Sequence, residues 1–241
     1  MIDVDWSGDN EKIASTFAEE LKKLLEKLPV KDYEIKTKVY RNGFNIALRY
    51  PYDLLMVACE MLDWVWADIT DLFDLEREVN LKRSVRRFKK IIAENQKLIL
   101  RKIYNKALEK KVNFFVNKDT VVLGSGVYQF KAKLNKILKL SDIPWKKIKN
   151  IPSVLITGTN GKTTTTRLTE FICRKSGLVS GYCSTDWVMI NGKLVSEGDL
   201  SGPSGHQFVL SSSKVEVAIL EVARGEWSNV DCYLIMQPQL R

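Results

Sequence analysis

The chain has 241 residues, 45% of them hydrophobic and 28% charged, which is apolar content enough for one large domain or two small ones and excludes a disordered chain. Lysine and arginine number 38 against 29 acids, a net charge of +9, and no apolar run approaches the ~18–20 residues of a membrane-spanning helix, so no membrane partner is expected. The cysteines Cys59, Cys173, Cys183 and Cys232 form no CxxC pair, which argues against a zinc cluster or a disulfide framework, and the acidic opening MIDVDWSGDN is unlike a secretory signal, so a cytoplasmic protein with reduced thiols is expected.

The charge is segregated. Residues 1–81 carry 10 basic and 17 acidic side chains, residues 82–149 carry 20 and 4, and residues 150–241 carry 8 and 8. A segment at +16 has the charge to hold an acidic polymer or a nucleic acid by counterion release. The plainer reading, a solvated helix face near the acidic first third, is the favoured one.

In chain order, Ile13, Phe17, Leu21, Leu24, Leu25 and Leu28 recur at helical spacing until Pro29, which predicts a helix over residues 11–28. Residues 36–48 alternate around Arg41-Asn42-Gly43 and predict a two-stranded hairpin. Residues 51–74 read as an amphipathic helix whose Trp64 and Trp66 are packing residues. A long helix over 81–110, broken near Asn95, carries Lys and Arg on its outer face. Residues 112–123 read as two short strands around Asn117-Lys118-Asp119, followed by Gly124-Ser125-Gly126. Residues 141–152, with Pro144, Pro152 and three lysines, read as a linker.

The β-branched run Ser153–Thr157 then leads into Gly158-Thr159-Asn160-Gly161-Lys162-Thr163-Thr164 and a stretch that can be helical to Lys175. Glycines in such a strand-loop-helix unit let successive backbone N–H groups converge on a phosphate, and the helix N-terminus adds partial positive charge. Lys162 has the reach for β- and γ-phosphates, and the Thr163 hydroxyl can ligate Mg²⁺. The general P-loop has a glycine five residues before Gly161; Ile156 stands there, so this is a shorter variant. An ordinary strand-to-helix turn with a chance Gly-Lys-Thr is the weaker alternative. The run Lys214–Glu221 reads as a strand ending in a carboxylate, where parallel sheets place ligand-binding residues, which makes Glu221 the candidate metal partner of Thr163. Between them lie a second strand over 179–183, a hairpin over 187–195 turning at Asn191-Gly192, and a glycine-rich loop over 197–206. That loop is either an ordinary exposed loop or one whose backbone donors suit a carboxylate or nucleotide. His206, the only histidine, is given no role.

The sequence from Leu155 to Leu168 resembles the ATP-binding loop of the Mur ligase superfamily, and within it the Mur-like module of the cyanophycin synthetases. Three further motifs follow in the family's order: Gly-Tyr-x-x-Thr-Asp at residues 181–186, Gly-Asp-x-x-Gly-Pro at 198–203 and Glu-x-Ala-Arg-Gly at 221–225. The resemblance implies an α/β fold. Its parallel P-loop-type sheet with flanking helices is an incomplete Mur ligase central domain at 153–241, behind a mainly helical α+β N-terminal domain at 1–140 that resembles the cyanophycin synthetase N-terminal region, with 141–152 as linker. It implies an ATP-dependent C–N ligase working through an acyl phosphate, with ATP and Mg²⁺ as cofactors and a carboxylate-bearing amino acid or peptide as substrate. Carried over by residue, Gly158 to Thr164 hold the phosphates, Lys162 stabilises the transferring group, Thr163 and Glu221 hold magnesium, and Asp199 and Ser201 face the acceptor.

The sequence departs from the family at Trp187, where glycine is usual, and at Glu226, where a second glycine follows the Arg-Gly pair. No ATP-grasp domain fits between Gly126 and Ser153, and the expectation is a truncated or reduced chain. The alternative is a non-catalytic nucleotide- or acidic-polymer-binding protein derived from such a ligase. A nucleic-acid-binding protein is least favoured, because no RNA or DNA motif accompanies the charge.

Overall fold

The acidic opening segment is a strand. β1 (Ile2–Asp5) turns Val4 inward between its carboxylates, and Asp9 then caps α1 (Asn10–Glu26) by accepting a hydrogen bond from the Lys12 N–H at 3.0 Å. The stripe expected in α1 is buried: Phe17, Leu21, Leu24 and Leu25 are fully inaccessible. β2 (Glu34–Tyr40) and β3 (Gly43–Arg49) form the expected hairpin, with Tyr40 opposite Gly43. Arg41 and Asn42 therefore make the turn, and Gly43 belongs to β3. A side chain at Gly43 would place its Cβ 2.0 Å from the Val4 carbonyl oxygen, so this glycine serves the close approach of β1 and not the turn. The sheet order is β1-β3-β2, antiparallel throughout.

Tyr52–Leu54 form a single 3-10 turn before α2 (Leu55–Thr70), and α3 (Arg77–Asn95) and α4 (Leu98–Glu109) follow, with the expected break after Asn95. Met61, Val65, Ile69, Phe88 and Ile92 complete the core started by α1 and β3. Trp66 stacks on Phe17 at 6.2 Å and Trp64 meets Phe88 edge-on at 6.3 Å, so both tryptophans pack. The computed structural model describes residues 1–70 and 77–222; the end of the helix expected over 51–74 lies outside them.

The chain divides into two compact units, Met1–Arg101 and Lys102–Arg241. The sequence placed its break at 141–152 instead. That stretch buries Ile143, Ile148 and Ile151, and the Ile151 N–H donates to Ser125 Oγ at 3.0 Å. It lies against the second unit's own core as a packed segment. The basic stretch 82–149 is accordingly shared between the units.

The second unit begins, after the end of α4, with a meander of β4 (Phe114–Asn117), β5 (Thr120–Leu123) and β6 (Phe130–Lys133). It continues with β7 (Ser153–Ile156), α5 (Lys162–Lys175), β8 (Ser180–Cys183), β9 (Trp187–Ile190), β10 (Lys193–Glu197), α6 (Pro203–Leu210) and β11 (Val217–Glu221). The five strands from β7 onward order as β10-β9-β8-β11-β7. β11 pairs in parallel with both β7 and β8, and the β9–β10 hairpin extends the sheet antiparallel from β8. Asn191 and Gly192, at φ 49° and 73°, form its two-residue turn, the left-handed pair such hairpins need. Phe115, Val122 and Ile151 share one core with Cys183, Val188, Val209 and Leu220. No described helix is long and apolar enough to cross a membrane.

Candidate functional site

β7 and β11 run parallel, so their C-terminal ends open on the same edge, where such sheets bind ligands. β7 leads into the glycine loop. Gly158 has φ 150° and Gly161 φ 77°, and a Cβ at Gly161 would meet no atom within 4 Å. Glycine is needed there for backbone conformation and not for space. Gly161 is the N-cap residue of α5, its carbonyl accepting the Thr165 N–H at 2.9 Å. Lys162 is the first helical residue, and its Nζ donates to the Gly158 carbonyl at 3.1 Å. The loop is thus closed by its own lysine, with Thr159, Asn160, Gly161 and Thr164 exposed.

Thr163, one residue into α5, donates its hydroxyl to Glu221 Oε1 at 3.1 Å. Glu221 ends β11 and is fully buried, while its Oε2 has no hydrogen-bond partner among the described residues. The expected pairing of Thr163 with Glu221 is therefore present as a direct contact. The strand end is fastened to β7 by the Val222 N–H on the Ile156 carbonyl, 2.9 Å, and by Thr157 Oγ1 on the Val222 carbonyl, 3.4 Å. Ala223, Arg224 and Gly225, the rest of the last expected motif, lie outside the described residues.

Asp199 and Ser201 lie together: Asp199 Oδ1 accepts the Ser201 hydroxyl at 2.8 Å and its N–H at 3.2 Å. Asp199 is exposed and Ser201 is buried. Their loop rests on the turn after β8, through the Gly198 N–H on the Asp186 carbonyl at 2.8 Å and the Leu200 N–H on the Ser184 carbonyl at 3.0 Å. It is shorter than the sequence suggested, because α6 begins at Pro203. Arg167 of α5 pairs with Asp186 and stacks its guanidinium 4.4 Å over the Trp187 ring, and Trp187 Nε1 donates to the Tyr182 hydroxyl at 2.6 Å.

Sequence reasoning gave His206 no role. It is 2% exposed, on α6, and its Nε2 lies 2.8 Å from the Glu221 carbonyl oxygen. A carbonyl only accepts, so Nε2 carries the proton. Burial pushes the His206 pKa below its usual value, against a smaller opposite effect of that bond. No local pattern announces this contact, which spans 15 residues and depends on how α6 packs on β11. Cys183, beside Glu221, has its thiol pushed up to about 12 by burial; it is a protonated core residue and not a nucleophile.

Among the described residues no three His, Cys, Asp or Glu side chains gather as a metal site. A hydroxyl with one carboxylate is the set that suits an ion completing its shell with phosphate oxygens and water.

The model of the Mur ligase middle domain matches residues 156–238, a stretch that holds the whole loop, α5 and Glu221. The likeness to the Mur ligase family therefore lies in residues 156–238. Over 75 residues the chain is 57% identical to the cyanophycin synthetase of Crocosphaera subtropica, 52% to that of Synechocystis sp. and 51% to that of Geminocystis herdmanii. Each match covers 31% of this chain and 9% of the relative, so the likeness concerns one module of much longer proteins. The strands β1 to β6 and the helices α1 to α4 lie outside the matched stretch.

Proposed function

We propose that the Mur ligase segment binds Mg·ATP and is the nucleotide-binding part of an ATP-dependent acid–amine ligase, with β7, the 158–164 loop and α5 forming a short P-loop. The observation that carries this reading is the Thr163–Glu221 hydrogen bond at the loop's mouth, with Glu221 Oε2 buried and without a partner among the described residues. The loop amides and the α5 N-terminus supply donors for the phosphates, and Lys162 leaves the Gly158 carbonyl for the β- and γ-phosphate oxygens. Thr163 and Glu221 would hold Mg²⁺, which when bound neutralises charge on the phosphates.

In the reaction this implies, a substrate carboxylate oxygen attacks the γ-phosphorus and the bond to the β-phosphate oxygen breaks, giving an acyl phosphate and ADP. An amine then attacks the acyl carbon, loses a proton and expels phosphate as the C–N bond forms. The chain's own contribution is positioning and electrostatic stabilisation. Asp199 lies on the loop that approaches from the turn after β8 and is the acceptor-side residue. The substrate is a carboxylate-bearing amino acid or peptide, the class suggested by the cyanophycin synthetase likeness.

Calorimetric titration of the full chain with Mg·ATP tests the reading. Micromolar-range binding by the wild type that weakens strongly in Lys162→Ala is expected. If neither protein binds, the loop is a structural turn and the reading is wrong.

A further inference from the structure

The β8–β11 pairing stops with Cys183 opposite Leu220. One residue further along β11, where β8 no longer continues, the Glu221 carbonyl is taken by the imidazole of His206. The other side of the strand end is held by β7 through Val222. Glu221 is therefore clamped on both sides at the last ladder position, with a main-chain bond on one flank and a side-chain bond on the other.

The element that carries His206 is itself fixed. A Cβ at Gly205, the preceding residue, would lie 1.9 Å from the Leu200 carbonyl oxygen, so α6 is pressed against the loop that holds Asp199 and Ser201. Val209 and Leu210, on the same helix, are fully buried in the core with Leu220. Gly181 of β8 leaves room for Val209, whose Cγ1 would lie 2.9 Å from a Cβ built there. A single short helix thus links the acceptor-side loop, the strand end and the candidate metal carboxylate.

We propose that His206 is a positioning residue for the metal site: by donating Nε2–H to the Glu221 carbonyl it holds the end of β11 so that the Glu221 carboxylate stays on Thr163. The proposal rests on the Mg·ATP reading above. His206 acts through Glu221 and touches neither nucleotide nor metal. A methionine at this position fills similar space without a donor, whereas a glutamine places an amide N–H at a reach close to that of Nε2.

The test uses the untagged full chain, in which His206 is the sole histidine, so its imidazole ¹⁵N signals need no assignment. The wild type shows the Nε2–H tautomer, and adding Mg²⁺ to the ATP-saturated protein shifts that resonance. In calorimetry, His206→Met needs about five- to tenfold more Mg²⁺ to reach the same ATP affinity, the effect of one lost hydrogen bond. Its ATP binding in EDTA is unchanged, and His206→Gln behaves as the wild type. Equal loss with and without Mg²⁺, or no loss, overturns the positioning role. Should His206→Met not fold, an imidazole resonance indifferent to Mg²⁺ in the ATP-bound wild type overturns it instead. A wild type that binds no Mg·ATP removes the nucleotide reading itself, and this role with it.

Discussion

Thr163 and Glu221 stand 58 residues apart in the sequence and meet through a 3.1 Å hydrogen bond. The parallel pairing of β11 with β7 creates the contact, because it brings the end of β11 beside the start of α5. Glu221→Gln keeps the volume and an oxygen for the Thr163 hydroxyl but removes the charge. The Mg²⁺-dependent part of ATP affinity should disappear while binding in EDTA persists. The variant should also be more stable by about 1 kcal/mol, because a buried carboxylate oxygen without a partner among the described residues is replaced by a neutral group. Calorimetry with and without Mg²⁺, together with denaturant unfolding, checks both parts.

Lys162 Nζ donates to the Gly158 carbonyl. Such a half-exposed lysine-to-carbonyl bond contributes little to folding, so Lys162→Ala should unfold at the wild-type denaturant midpoint. A charged donor on phosphate contributes more, and ATP affinity should fall by about 10- to 100-fold. Loss of stability in place of loss of binding would make Lys162 a structural cap.

Two glycines separate conformational need from crowding. Gly161 is at φ 77° with open space around it, so Gly161→Ala should cost about 1–2 kcal/mol, from backbone strain alone. Gly205 lies under the Leu200 carbonyl at 1.9 Å from a would-be Cβ, and Gly205→Ala should cost about 3 kcal/mol by forcing α6 off the 198–201 loop. Paired urea titrations rank the two, and the reverse order would contradict this account.

The parts legible in the sequence were those set by local chemistry. The α1 stripe, the Asn191-Gly192 turn, the break after Asn95 and the glycine loop all follow from residues within a few positions of one another. The parts missed were set by distant contacts. Gly43 read as a turn residue, but the carbonyl of Val4 fixes its identity. β1 was hidden by its carboxylates and β6 by its lysines, since one or two alternating inward residues in a four-residue strand leave little periodic signal. The Gly-Pro-Ser-Gly run read as loop, although Pro203 is the first residue of α6, a position where proline's missing N–H costs nothing. The contact between His206 and Glu221 had no sequence signature at all.

In the first unit, Asp53 has a fully buried side chain that accepts from Arg101 Nε at 2.8 Å and Nη2 at 3.1 Å, and from the Lys97 N–H at 2.8 Å. It ties the turn before α2 to the start of α4. Asp53→Ala leaves the guanidinium and a main-chain donor without their acceptor and should cost about 3–5 kcal/mol. The exposed pair Lys90 and Glu94, 3.9 Å apart, should show no measurable loss on Lys90→Ala.

Tyr50 contributes to the alkaline loss of stability in that unit beside Tyr40, whose hydroxyl pKa is likewise raised to about 12, first by its hydrogen bond to Asp3. The Tyr50 ring is 4% exposed and its hydroxyl has no partner among the described residues, and burial pushes its pKa up to about 12 from 10. Between these values the unfolded chain gives up the phenolic proton and the folded chain keeps it. The unfolded state then binds fewer protons, so stability falls as pH rises through the window from about 10 to about 12 and is level below it. Tyr50→Phe removes an ionisable group and a buried hydroxyl that makes no bond to the described residues. It should therefore be no less stable than the wild type at pH 8 and should lose less stability between pH 10 and 11.5. Urea midpoints at the three pH values measure this directly, and an unchanged slope in Tyr50→Phe would show that other groups set the alkaline loss.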